Sequence, residues 1–187
     1  MTDLEGHPDR ERWNARYAAE PPRFEPHPLV AAAFAAGLPD GPVLELACGR
    51  SGSALELAAA GRRVTAVDVS DLALRQLGDE ACRRHLDDRI ERVLADVPSY
   101  DPGPGRYAFV LATRYWDAAA FDVACAAVAP GGLLGWEALR CEPGDDRDCG
   151  PWRVRHGELS ARLPARFTVL DETATPRSTR LLARAAQ

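Results

Sequence analysis

Two carboxylates flanking a run of small residues carry the chemistry of this chain. Residues 43–70 read VLELACGRSGSALELAAAGRRVTAVDVS. An apolar run bears Glu45 near its end, and a small-residue turn follows (Ala47, Gly49, Ser51, Gly52, Ser53). A second apolar run ends in Asp68, nineteen positions after Gly49. Small residues let the backbone approach a ligand closely. The N–H groups that open the following helix can face polar ligand atoms. A carboxylate at the tip of the neighbouring strand can accept two hydrogen bonds from ribose hydroxyls. The order is strand, turn, helix, strand, the βαβ layout that seats a nucleoside-bearing cofactor at its first turn.

The turn departs from G-x-G-x-x-G, having glycine only at Gly49 and Gly52. Glu45 stands where dinucleotide sites usually have an apolar residue, and a carboxylate there repels a pyrophosphate. A cationic sulfonium with an ammonium group suits it better. The segment resembles motif I and the following strand of class I S-adenosylmethionine-dependent methyltransferases, with Glu45, Ala47, Gly49 and Ser51 in the four motif positions. Two glycines of the family pattern are thus Ala47 and Ser51. The wording ELACGRSGSAL, with RWNARYA upstream, is similar to small bacterial methyltransferases related to tellurite-resistance and thiopurine enzymes. The likeness covers most of residues 10–140. It implies S-adenosylmethionine as cofactor, held by Glu45, Ala47, Gly49, Asp68, Val69, Asp96, Val97 and Thr113. Asp96 and the backbone N–H of Val97 take the adenine edge, whose amine donates and whose ring nitrogen accepts.

The elements that must position these residues follow from pattern. A helix over 9–19 places Trp13 and Tyr17 four residues apart on one side. A second short helix precedes Gly37. Strands are expected over 43–47, 63–67, 90–95, 107–112 and 133–139, and helices over 53–60, 71–85 and 118–128. Pro130, Gly131 and Gly132 stop the last helix. Two final strands, 167–172 and 180–185, are expected to pair antiparallel across a turn at Pro176. The fold class is therefore α/β: a Rossmann-like, doubly wound, mostly parallel seven-stranded sheet, helices on both faces, last strand antiparallel. One domain spans 1–187, divided into a helical lid (1–40), a cofactor-binding core (41–140) and a substrate-side loop with the terminal strands (141–187).

Thr113, Arg114, Tyr115 and Trp116 follow the fourth strand directly and should border the transferred methyl group. TRYW differs from the Asn/Asp-Pro-Pro-aromatic motif of amino-methyltransferases. Arg114 is the candidate for orienting an anionic acceptor, with a surface salt bridge as the alternative. Trp13, Tyr17, Tyr115 and Trp116 are candidates for the substrate side or for packing. His156 is a weak candidate for a base, and His7, His27 and His85 carry no signal. In-line displacement on an activated carbon needs placement more than a dedicated catalytic group, so none is assigned.

Composition narrows the rest. The chain has 187 residues, a net charge of −5 and no lysine, which excludes a lysine Schiff base and a Walker lysine. The absence of a basic tail disfavours nucleic acid as partner. No apolar run is long enough for a membrane helix and no secretory signal is visible, so a cytoplasmic monomer acting on a small-molecule acceptor is expected. Five cysteines at uneven spacing suggest reduced thiols and no metal site; Cys141 and Cys149 bracket Asp145, Asp146 and Asp148. Two other readings stand beside the methyltransferase: a non-catalytic S-adenosylmethionine-binding module, and a nicotinamide-dependent oxidoreductase.

Overall fold

The computed structural model describes residues 4–141 and 149–187. Five parallel strands are laid down first: β1 (Val43–Leu46), β2 (Val64–Asp68), β3 (Ile90–Leu94), β4 (Tyr107–Thr113) and β5 (Val128–Arg140). A two-residue strand, β6 (Arg153–Val154), and the hairpin β7 (Phe167–Ala174) and β8 (Ser178–Ala185) complete the sheet. The order is β3-β2-β1-β4-β5-β8-β7, with β8 antiparallel to both neighbours. This is the expected α/β architecture, with one correction. The sheet has eight strands, because β6 adds to β5 beyond the end of β4.

The order in which successive strands are added reverses between β1 and β4, which makes their carboxyl ends the place where an open α/β sheet binds its ligands. β4 reads YAFVLAT and is buried almost throughout, as a central parallel strand covered on both faces must be. Helices α3 (Gly52–Ala59) and α4 (Asp71–Arg83), with α2 (Pro28–Ala35), cover one face over Leu55, Leu57, Leu77, Phe109 and Leu133. Helix α5 (Ala118–Ala127) and the short α6 (Glu158–Arg162) cover the other. There Phe121 lies edge-on to Trp136 at 5.0 Å and tilted to Trp116 at 5.6 Å.

Three helices start where the sequence offers a cap: Ser51, Ser70 and Asp117 each accept the N–H three residues on. The strand after α5 differs from expectation. β5 begins at Val128 rather than Leu133, and its register against β4 jumps from Tyr107↔Val128 to Phe109↔Leu133. Pro130 and the two glycines therefore make an irregularity inside the strand instead of a linker before it. Cys141 and Cys149, expected as free thiols, are joined in a disulfide, at the point where Cys141 N–H bonds Val154 O and brings β6 beside β5. Asp145, Asp146 and Asp148 lie outside the described residues.

Helix α1 (Pro8–Ala19) has no buried residue. It is held by polar contacts: Asp71 Oδ1 accepts from Arg10 Nε (2.8 Å) and Asn14 Nδ2 (2.8 Å), and Ser70 Oγ donates to Asn14 Oδ1 (2.6 Å). An element so attached opens more readily than the core. By contrast, replacing Phe121 with Ala should lower stability by about 3–5 kcal/mol, because a fully buried ring leaves a cavity. A denaturant midpoint matching the parent would contradict the central place given to that aromatic cluster.

Candidate active site

The site is assembled at the carboxyl ends of β1, β2 and β4. Asp68 closes β2 and is 5% exposed. Its Oδ2 accepts from Gly49 N–H at 2.7 Å and its Oδ1 from Ser70 N–H at 2.8 Å. One side chain thus ties the turn after β1 to the start of α4. Each oxygen keeps capacity for a further donor. Burial raises the Asp68 pKa, and the backbone N–H bonds work against that rise.

Glu45, on β1, is 2% exposed and accepts from Ser51 Oγ at 2.6 Å. Ser51 Oγ also accepts from Ala54 N–H at 2.8 Å, so this residue caps α3 and locks Glu45 together. That double role accounts for serine at a position the family pattern gives to glycine. Ala47 keeps the backbone conformation of the glycine it replaces, with φ of 49°. An L-residue there costs about 1–2 kcal/mol, a strain the surrounding turn must hold.

Gly49 has the same left-handed conformation (φ 54°), and a Cβ there would stand 2.3 Å from the Tyr17 hydroxyl. A Cβ on Gly52 would come within 2.4 Å of the Glu25 backbone. The segment leading out of α1 therefore crosses directly over the turn. Trp13 stacks on Tyr17 at 5.8 Å, and the Arg50 guanidinium lies 4.7 Å from the Tyr17 ring. Burial, then the Asp68 charge, raises the Tyr17 pKa. Sequence reasoning thus brought Glu45, Ala47, Gly49, Asp68, Trp13 and Tyr17 to one place.

The remaining expected residues divide. Asp96 and Val97 follow β3, with Asp96 Oδ2 3.9 Å from His7 Nε2 and Val97 buried in the core. Val69 is half-buried between Asp68 and Ser70. Thr113 ends β4 opposite Glu137. Tyr115 is half-buried; burial, then the charges of Asp117, Asp96 and Asp9, raises its pKa. Trp116 was a substrate-side candidate, but it is 8% exposed and packs on Phe121, so its ring serves the core. His156 Nδ1 lies 3.0 Å from Thr179 Oγ1 on the opposite face of the sheet from Glu137.

Glu137 and His27 escaped the sequence reading. Glu137 is buried on β5; Oε1 accepts from Ser178 Oγ (2.7 Å) and Arg180 Nε (2.9 Å), while Oε2 lies 3.2 Å from His27 Nε2. Burial favours its neutral form, but hydrogen bonds from His27, Arg180 and Ser178 outweigh it and hold the carboxyl at about 2. His27 Nδ1 accepts from Leu29 N–H at 3.3 Å, capping α2 and leaving the ring proton for Nε2. An acidic residue inside an otherwise apolar strand was the available signal.

A separate cleft of about 470 Å³, lined by Asp40, Gly41, Gly61 and Arg62, lies at the amino ends of β1 and β2. It is the wrong end of an open α/β sheet for a cofactor. Among the described residues no cluster of side chains suits a metal, and no helix is long and apolar enough to cross a membrane.

Glu45 makes this site testable without any ligand. Burial pushes its pKa from 4.5 up to about 8; the Ser51 hydrogen bond lowers it, and the Asp68 charge raises it. The folded state then binds a proton more tightly than the unfolded chain. Its contribution to stability is full below about pH 4.5 and is lost as pH rises toward 8. The slope is up to about 1.4 kcal/mol per pH unit. Glu45→Gln should therefore gain stability relative to the parent as pH rises from 5 to 8. A difference between the two proteins that stays constant over that window would contradict an ionisable, buried Glu45.

Comparison with known proteins agrees with the geometry. Residues 43–132 match a family model described as a methyltransferase domain. No curated protein sequence matches. TehB from Haemophilus influenzae superposes with a TM-score of 0.74 at 18% identity, covering 94% of this chain and 66% of that one. The CcbJ methyltransferase from Streptomyces caelestis gives 0.68 at 20% identity, covering 93% and 96%. A geranyl diphosphate C-methyltransferase from Streptomyces coelicolor, in complex with S-adenosyl-L-homocysteine, gives 0.64 at 14% identity, covering 83% and 76%. Around the segment that matches a methyltransferase domain, the chain has the sheet and carboxylate-lined turn described above, and its fold is shared with these methyltransferase structures.

Proposed function

We propose that this enzyme transfers the methyl group to a small-molecule acceptor by in-line displacement. The observation that carries the cofactor end of this reading is charge. Glu45 and Asp68 are both buried at the turn, and among the described residues neither pairs with a basic side chain. Two buried acids with no basic partner offer a pyrophosphate nothing to pair with, whereas a cation beside them favours their ionised forms. This argues against the nicotinamide alternative. When bound, S-adenosylmethionine would supply an electrophilic methyl on a sulfonium, to which an acceptor lone pair would bond as the sulfur–carbon pair returned to sulfur, with any acceptor proton passing to solvent.

The chain's own residues would do the rest. Asp68, fixed by two backbone N–H groups, accepts from the ribose hydroxyls. Gly49 offers close backbone approach. Asp96 and Val97 face the adenine edge, and Thr113 with Arg114 borders the acceptor. Tyr17 and Trp13 close the turn from the α1 side and keep water out. No base is assigned. Glu137 is too acidic for the task, and His156 lies on the other face of the sheet. The likeness to TehB supports placement among the tellurite-resistance and thiopurine-type enzymes. The neighbours include a geranyl diphosphate C-methyltransferase and a putative sarcosine dimethylglycine methyltransferase, so the fold does not name one acceptor. The reading takes the enzyme as a cytoplasmic monomer of one domain, and its net charge of −5 argues against a nucleic-acid acceptor.

Calorimetry with S-adenosylmethionine and S-adenosylhomocysteine tests this reading. Both should bind, and Asp68→Asn should weaken each by about tenfold or more while the protein stays folded. A cation beside Glu45 favours its carboxylate, so binding of S-adenosylmethionine should release a proton and tighten as pH rises toward 8. Affinity independent of pH, or an unchanged Asp68→Asn variant, would count against the assignment.

A further inference from the structure

The acceptor side of the mouth carries a second charged group, built on a different principle. Glu137 is ionised and buried, and it meets two permanent cations, Arg180 (Nε 2.9 Å) and Arg114 (Nε 3.9 Å). His27 Nε2 at 3.2 Å and the Ser178 hydroxyl at 2.7 Å are its other partners. Among the described residues the two arginines and Glu137 sum to one positive charge. Arg180 uses its Nε on Glu137, and its two terminal nitrogens make no hydrogen bond among the described residues.

The excess charge is presented outward at Arg114. This side chain is 78% exposed, in contrast to the buried carboxylate that anchors it. Its backbone is left-handed, with φ of 56°. A non-glycine residue held there costs about 1–2 kcal/mol, and such strain persists where the surroundings impose it. Here the imposing contact is Tyr115 N–H to Glu137 O at 3.2 Å, which turns the chain immediately past Thr113. A 3.9 Å approach to a carboxylate already saturated on its other oxygen gives little reason for that strain. A guanidinium held exposed at the carboxyl end of β4 gives one.

We propose that Arg114, with the terminal nitrogens of Arg180, recognises a carboxylate on the methyl acceptor. The inference rests on the methyltransferase reading, because the end of β4 borders the acceptor only in that reading. The charge count selects the class. Two arginines and one glutamate leave a single positive charge, which a monoanionic carboxylate neutralises. A dianionic phosphate would leave net negative charge beside buried Glu137, at a cost that rises as water is excluded. The planar guanidinium also matches a carboxylate bidentately.

The test uses the full chain loaded with S-adenosylhomocysteine and titrated with benzoate and with its neutral counterpart benzamide. Calorimetry and the arginine Nε–H resonances are the readouts. Benzoate should bind at least about tenfold more tightly than benzamide and should move the Arg114 signal. Arg114→Gln should weaken benzoate by about tenfold or more while S-adenosylhomocysteine affinity stays within about twofold, and Arg114→Lys should recover only part. Equal binding of the two probes, or a benzoate affinity that Arg114→Gln leaves unchanged, would overturn the proposal while leaving the methyltransferase reading intact. Failure of S-adenosylhomocysteine to bind the parent protein would remove both.

Discussion

The architecture of the site depends on one carboxylate that accepts from two loops at once. Asp68 takes the N–H of Gly49 from the turn after β1 and the N–H of Ser70 from the cap of α4. Neither loop could hold its shape alone: the first runs through left-handed residues at Ala47 and Gly49, and the second ends the neighbouring strand. A buried, charge-assisted bond to each fixes both relative to the crevice between β1 and β4. Ser70 extends the same network outward through Asn14 to α1, so the lid is referenced to the cofactor turn rather than to the apolar core.

Polar compensation recurs where this chain departs from the family pattern. Ser51 stands in a glycine position and repays the change by capping α3 and holding Glu45. Ala47 has no such compensation and carries its strain in the backbone. The two ends of the mouth have opposite electrostatics. Glu45 and Asp68 make the turn after β1, the proposed cofactor end, acidic, and Arg114 with Arg180 surrounds Glu137 with cations at the proposed acceptor end. A cationic donor and an anionic acceptor would each meet its complement, which orients the reactants before any chemistry.

Much of this was legible in the sequence because local rules agree with the tertiary outcome. Period and turn residues located the five strands β1 to β5, since β1, β2 and β4 are short apolar runs ending at polar or small residues. The spacing of Glu45, Gly49 and Asp68 anticipated that the turn after β1 meets the end of β2. What escaped depends on distant pairing. The strand β6 is two residues long and exists only through its partner β5. The start of β5 was misread because Pro130 and Gly131 signal a break, whereas β4 draws Val128 into the sheet. Glu137 gained its meaning from His27, Ser178 and Arg180, which no spacing rule connects. Trp116 looked available because it follows a strand end, yet the aromatic cluster under α5 claims it.

The most direct measurement is a crystal structure of the complex with S-adenosylhomocysteine. The account predicts the ribose hydroxyls on the Asp68 carboxylate with the Gly49 and Ser70 N–H bonds retained, and the adenine beside Asp96 and Val97. A nucleoside bound in the cleft at Asp40 and Arg62, or a liganded turn in which Asp68 faces away from the sugar, would contradict it.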